Sequence, residues 1–167
     1  CESGTTFKEN AKIKATHARN NLPKQYSDYI VIADDSGMTI DALNGKPGVF
    51  TRRWAGYEMT DREIIDYCLE KLNNISNRNA SYVSSFCISF PSNKTVIIED
   101  KSDGVILEKV KTQSMLPGMP FRALFYVPKL KMMFHEVRKL SIADRQGYRV
   151  GHDEAMKKCI EAISNYI

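Results

Sequence analysis

Apolar and polar positions along the chain alternate in two rhythms. From Phe7, the residues Phe7, Ala11, Ala15, Ala18 and Leu22 recur at spacings of three and four, which predicts one buried stripe of a helix. Thr6 and Glu9 stand at the N-cap and third helical positions of a capping box, and Pro23 closes the helix. A second capping box, Thr60 to Glu63, opens a helix through about Ile75, with Ile64, Ile65, Cys68, Leu69, Leu72 and Ile75 toward a core. A third helix, Asp153 to Ile167, carries the stripe Met156, Cys159, Ile160, Ile163 and Ile167.

Between these the period falls to two. Ile30-Val31-Ile32 reads as a short buried strand over 30–34, and Met38 to Leu43 as its hairpin return, closed by the turn Asn44-Gly45-Lys46-Pro47-Gly48. Ala80 to Phe90 is the clearest strand, with Ala80, Tyr82, Ser84, Phe86, Ile88 and Phe90 on one face. Turns at Pro91–Lys94 and Asp103-Gly104 then predict strands over Thr95–Glu99 and Val105–Val110, an antiparallel meander. Gln113 to Pro120 reads as irregular, Phe121 to Val127 as aromatic-rich, and Lys129 to Arg138 as an edge strand or loop. The mixture predicts α/β or α+β with a mixed sheet.

Composition changes this picture little. The 167 residues are 43% hydrophobic and 26% charged, enough for one domain with a sizeable core. A net charge of +4 spread without basic runs gives no nucleic-acid tail, though a basic pocket for a small anion remains open. Cys1, Cys68, Cys87 and Cys159 lack zinc or disulfide spacing, which points to a reducing, cytoplasmic setting. Neither a membrane-length apolar run nor a signal peptide is read. The start, in a polar turn without Met, is unlike a natural N-terminus.

Candidate chemistry gathers where the first strand ends. Asp34 and Asp35 are followed at once by Ser36-Gly37, so an apolar strand delivers two acids into a small-residue turn. Such a turn suits a metal ion beside a phosphate. The alternative is an Asp-rich turn that satisfies only its own backbone.

Two blocks carry a resemblance. G-T-T-F-K-E-N-A-K-I-K-A (Gly4 to Ala15) is similar to the pattern G-x-T-F-x-E-N-A-x-x-K-A. A-D-D-S-G-M-T-I-D-A-L-N-G-K-P-G-V-F-T-R-R-W-A-G (Ala33 to Gly56) is similar to A-D-D-S-G-L-x-V-D-A-L-x-G-x-P-G-V-Y-S-A-R-Y-A-G. The chain thus resembles the Ham1-like inosine triphosphate pyrophosphatases, and the Ala80 to Leu107 meander resembles that family's hairpin more weakly.

The resemblance implies a long twisted mixed sheet flanked by helices, two lobes with a central cleft, and a homodimer. It implies hydrolysis of non-standard purine nucleoside triphosphates to the monophosphate and pyrophosphate, with Mg²⁺. Asp35 is then the general base and Glu9, Asp34 and Asp35 the metal side. Lys14, Ser36 and Gly37 lie toward the triphosphate. Neither a membrane nor a nucleic acid is expected as partner.

Two departures qualify this. The family's opening strand and T/S-x-N-x-x-K phosphate loop have no counterpart here, so residues 1–167 read as a single domain lacking that block, with a removed segment the favoured explanation. The family's base-reading loop G-F-G-Y-D-P-x-F becomes G-M-P-F-R-A-L-F (Gly118 to Phe125), with Met119 for the aromatic and Arg122 for the acid. Val150-Gly151-His152 stands in place of S-H-R. Met119, Phe121, Arg122, Arg149 and His152 are the base-side candidates, with Arg145 a further substitute. The alternative to an enzyme is a catalytically impaired nucleotide-binding or interaction module of the same fold.

Overall fold

The computed structural model describes residues 3–111 and 116–166. Cys1, Ile167 and the first part of the irregular stretch, Gln113 to Met115, lie outside the described residues. Four helices, α1 (Phe7–Asn20), α2 (Asp61–Lys71), α3 (Phe134–Val137) and α4 (Gly151–Ser164), accompany five strands. The strands are β1 (Val31–Ile40), β2 (Asn79–Ser89), β3 (Thr95–Ile106), β4 (Phe125–Val127) and β5 (Met132–Met133). They form one α/β sheet in the order β1-β2-β3-β4-β5. The sheet is antiparallel, so the parallel pairs of a mixed sheet are not among the described residues.

Chain contacts divide into two compact units. The first takes residues 1–37, 83–101 and 151–167, and the second takes 38–82 and 102–150. β1, β2 and β3 each contribute to both.

Within the first unit, α1 and α4 pack on opposite faces of β2. Ala11 and Ala15 meet Val31 and Cys87, whereas Phe86, Ile88 and Phe90 meet Ala155 and Cys159. Alternation puts Cys87 and Ile88 on opposite faces, yet both are fully buried, as expected of a strand covered twice. The α1 capping box forms as its sequence predicts: Thr6 Oγ1 accepts from Glu9 N at 3.2 Å, and Glu9 Oε2 accepts from Thr6 N at 3.2 Å. The helix stripe is narrower than predicted. Ala18 is exposed, while Asn10 is buried for a reason given below.

Ile160 of α4 is also exposed, because Ala155 and Cys159, one position off, take the core-facing line. Ile32 likewise lies on the open side of β1.

The second unit is built on α2, whose Ile64, Ile65 and Cys68, with Leu72 at its C-cap, are fully buried with Met38, Ile40, Ile106 and Leu124. Each such side chain contributes about 1.5–3 kcal/mol. Its predicted end at Ile75 comes early, at Lys71. Cys68 is an inert core thiol, its pKa pushed up to about 12 by burial. A smaller cluster of Val127, Val137 and Val150 holds α3.

Two predicted turns are not turns. β1 does not fold back at Ser36-Gly37 but runs on to Ile40, because Met38 and Ile40 continue into buried positions of the α2 core. β3 runs unbroken through Asp103-Gly104. Asp103 accepts a hydrogen bond from Ser81 Oγ at 2.7 Å. Gly104 is small because β4 passes close, not because the chain reverses: a Cβ there would lie 2.5 Å from Tyr126 O and 2.7 Å from Phe125 Cε2. The Asn44 to Gly48 turn does form, with Asn44, Gly45 and Gly48 at positive φ. Gly104→Ala is expected to cost about 3 kcal/mol, since backbone must move to admit the methyl. Urea unfolding of the variant beside wild type measures it.

Candidate functional site

Asp35 lies in β1 with its side chain turned inward, 9% exposed as a residue. A carboxylate this buried needs partners. Lys14 Nζ lies 2.7 Å from Asp35 Oδ1 and also donates to Asp34 O at 3.1 Å. Asn10 Nδ2 donates to Asp35 Oδ2 at 3.2 Å. Asn10 is held in turn by Gly4 N, which donates to its Oδ1 at 2.9 Å. Asn10 and Lys14 are one helical turn apart on α1, so a single face of the helix supplies both donors.

Asn10 was not singled out from the sequence. Its signal was a polar residue within the apolar stripe, next to Ala11.

Adjacent strand residues point to opposite faces, and Asp34 is accordingly exposed while Asp35 is buried. Asp34 therefore enters this cluster through its backbone carbonyl. Ser36 and Gly37 follow in the same strand, half-buried.

Glu9 is exposed at the start of α1. Its Oε2 accepts from Thr5 N at 2.7 Å, Thr5 Oγ1 at 2.9 Å and Thr6 N at 3.2 Å. These bonds, that from the Thr5 backbone first, hold its carboxyl below the usual carboxylate range. Oε1 carries no hydrogen bond to a described residue. No group of three or more His, Cys, Asp or Glu side chains with metal-binding geometry is found among the described residues. A hard cation such as Mg²⁺ is commonly held by one or two carboxylates plus substrate phosphates, and the free Glu9 oxygen fits that donor chemistry.

The base-side candidates are distributed differently. Met119, Phe121, Arg122, Arg145 and Arg149 belong to the second unit and His152 to the first. Met119 is half exposed at 50%. Phe121 is a core residue, 8% exposed, its ring 6.4 Å from Trp54. Arg122 Nε is buried without a hydrogen bond. Burial first, then the Arg122 charge, depresses the pKa of neighbouring His135. His152 is the second residue of α4, its ring 5.3 Å from that of Phe86.

Fold and residues together define an α/β protein with a helix-borne lysine set against a strand-borne aspartate. The Ham1 family pattern matches residues 1–145, and the chain belongs to the Ham1 family. A dITP/XTP pyrophosphatase of Bacillus anthracis is 39% identical over 169 residues, covering 99% of this chain and 78% of that protein. A dITP/XTP pyrophosphatase of Exiguobacterium sp. is 38% identical over 138 residues, covering 83% of this chain and 66% of that protein. The chain thus spans about two thirds to four fifths of the length of these relatives. Among solved structures, the Ham1 protein of Staphylococcus aureus superposes with a TM-score of 0.79 at 29% identity, covering 100% of this chain and 81% of its own. No helix of the described residues is long and apolar enough to cross a membrane.

The Glu9 capping bonds carry a pH dependence of definite sign. Because the folded carboxyl titrates below its unfolded value of 4.5, its contribution is present above that pH. It is lost as pH falls through the folded pKa. Urea unfolding between pH 7 and pH 3 is expected to show this loss in wild type and a shallower one in Glu9→Ala.

Proposed function

We propose that this chain hydrolyses non-standard purine nucleoside triphosphates, of the inosine and xanthosine kind named for its relatives, to the monophosphate and pyrophosphate, removing them from the nucleotide pool. The observation that carries the reading is the pairing of Lys14 with the buried Asp35 carboxylate, 2.7 Å apart, within the two sequence blocks that carry the family likeness.

A triphosphate repels an oxygen nucleophile, so positive charge must meet it before water can attack. Lys14 supplies that charge from α1, while Ser36 and Gly37 offer a hydroxyl and a backbone N–H to the phosphates. Asp35 orients the water and takes its proton as oxygen bonds to the α-phosphorus. The bond from the α-phosphorus to the bridging oxygen breaks, and pyrophosphate leaves with that oxygen.

The required divalent cation is Mg²⁺, which when bound offsets phosphate charge. Glu9 and Asp35 would hold it, while the Asp34 side chain, on the opposite face of β1, would stand apart from them. Asn10 keeps Asp35 in orientation throughout.

The base is met by the loop carrying Met119 and Arg122, which Phe121 anchors, with Arg149 as a further contact. Residues 1–167 belong to a single domain, which acts as a homodimer in the cytoplasm. The retained acid–lysine pair and the activity named for the relatives favour this enzyme over an impaired binding module.

Asp35→Asn is expected to lower kcat about 10³-fold, because the amide cannot take the proton. Lys14→Ala is expected to raise KM and lower kcat together. Pyrophosphate release from inosine, xanthosine and adenosine triphosphates with Mg²⁺ measures both, and wild type without turnover of any of them overturns the proposal.

A further inference from the structure

Gly118, at φ +86°, donates its N–H to Asp61 Oδ2 at 2.8 Å, joining segments 57 residues apart. Asp61 is the first residue of α2, where the exposed helix N–H groups already favour a carboxylate. Its other oxygen, Oδ1, lies 2.5 Å from Arg52 Nη2 as an ion pair without an aligned hydrogen bond. Arg52 Nη1 in turn reaches Met59 O at 3.3 Å. Beyond Gly118 the loop is held a second time. Phe121 packs against Trp54, which stands edge-on to Tyr67 of α2 at 5.3 Å. Met119 sits between the two anchors with its side chain half exposed.

We infer that Asp61 and Arg52 are positioning residues that set base selectivity through the Gly118 backbone without touching the nucleotide. The inference rests on the base-side role given above to the Met119–Arg122 loop. The physical reason lies in the residue the loop presents. An aromatic offers a base a rigid face, whereas Met is flexible and polarisable and adapts to many shapes. A loop that presents Met keeps discrimination only if its backbone is held before the base arrives. Arg52 fits that requirement: it stands where the pattern A-D-D-S-G-L-x-V-D-A-L-x-G-x-P-G-V-Y-S-A-R-Y-A-G has Ala, so the ionic half of the tether accompanies the altered loop.

The test uses Asp61→Ala, Asp61→Asn and Arg52→Ala, with Arg62→Ala as control. Arg62 pairs with Asp66 at 2.8 Å on the exposed face of the same helix. Amide exchange in the peptide containing Gly118 is read beside the affinities for inosine and adenosine triphosphates and the kcat at saturation. In Asp61→Ala, exchange at Gly118 is expected to quicken about tenfold or more as the local bond opens, and in Arg52→Ala, which removes only the ionic half, about threefold. The inosine-over-adenosine preference is expected to fall about fivefold with kcat changed less than about threefold, the mark of lost positioning rather than lost chemistry. Asp61→Asn, which keeps an acceptor for Gly118 N–H, restores much of both, and Arg62→Ala matches wild type.

Unchanged exchange at Gly118 overturns the tether. Quickened exchange with an unchanged preference overturns its role in selectivity. Wild type that binds triphosphates without turning them over refutes the reaction proposed above, while exchange and affinities still decide the tether.

Discussion

The burial of one carboxylate organises the first unit. Taking an aspartate out of water costs several kcal/mol unless charge and hydrogen bonds replace the solvent. Asp35 is compensated from a single direction, by Lys14 and Asn10 on α1. That demand fixes how the helix lies. Its other inward residues, Ala11 and Ala15, are fully buried against Val31 and Cys87. Larger side chains there would lift the helix from the sheet and carry Lys14 out of reach. The capping box that starts α1 and the alanines that seat it thus serve the same end as the lysine itself.

This coupling explains which features were legible in the sequence. Capping boxes are local, so both were readable and both form. The Glu9, Lys14 and Asp35 assignments came from block likeness. Geometry then brings Lys14 and Asp35 together while leaving Glu9 exposed at the helix start and Asp34 on the other strand face. What sequence pattern misjudged were features whose cause lies elsewhere in the chain. Asp103-Gly104 has turn composition, yet each residue answers a neighbouring strand: Asp103 meets Ser81, and Gly104 makes room for β4. Ser36-Gly37 was read as a turn for the same reason, while burial of Met38 and Ile40 carries the strand on to Ile40. Asn10 was hidden because a polar residue inside an apolar stripe gains meaning only once its partner is known.

Phe121 shows the converse. As an aromatic in a diverged loop it read as a base contact, but its ring is used in the core beside Trp54. Local sequence cannot separate an aromatic that stacks on a ligand from one that anchors the loop presenting the ligand site. Burial separates them here, and it shifts the exposed, adaptable role to Met119.

The two sets of residues also differ in how they can change. Lys14, Asn10 and Asp35 share the first unit and its alanine-seated helix. The Gly118–Arg122 loop belongs to the second unit and leans on α2 and Trp54. Substitutions without shared partners add independently, whereas those within one hydrogen-bonded network do not. Met119 and Arg122 can therefore depart from the family pattern without disturbing the carboxylate–lysine pair. Loss of Asn10 or Lys14 would strand the buried Asp35 carboxylate, and loss of Asp35 would remove the group that both serve. Divergence in the base-reading loop while the acid–lysine cluster stays intact is what that difference in cost predicts.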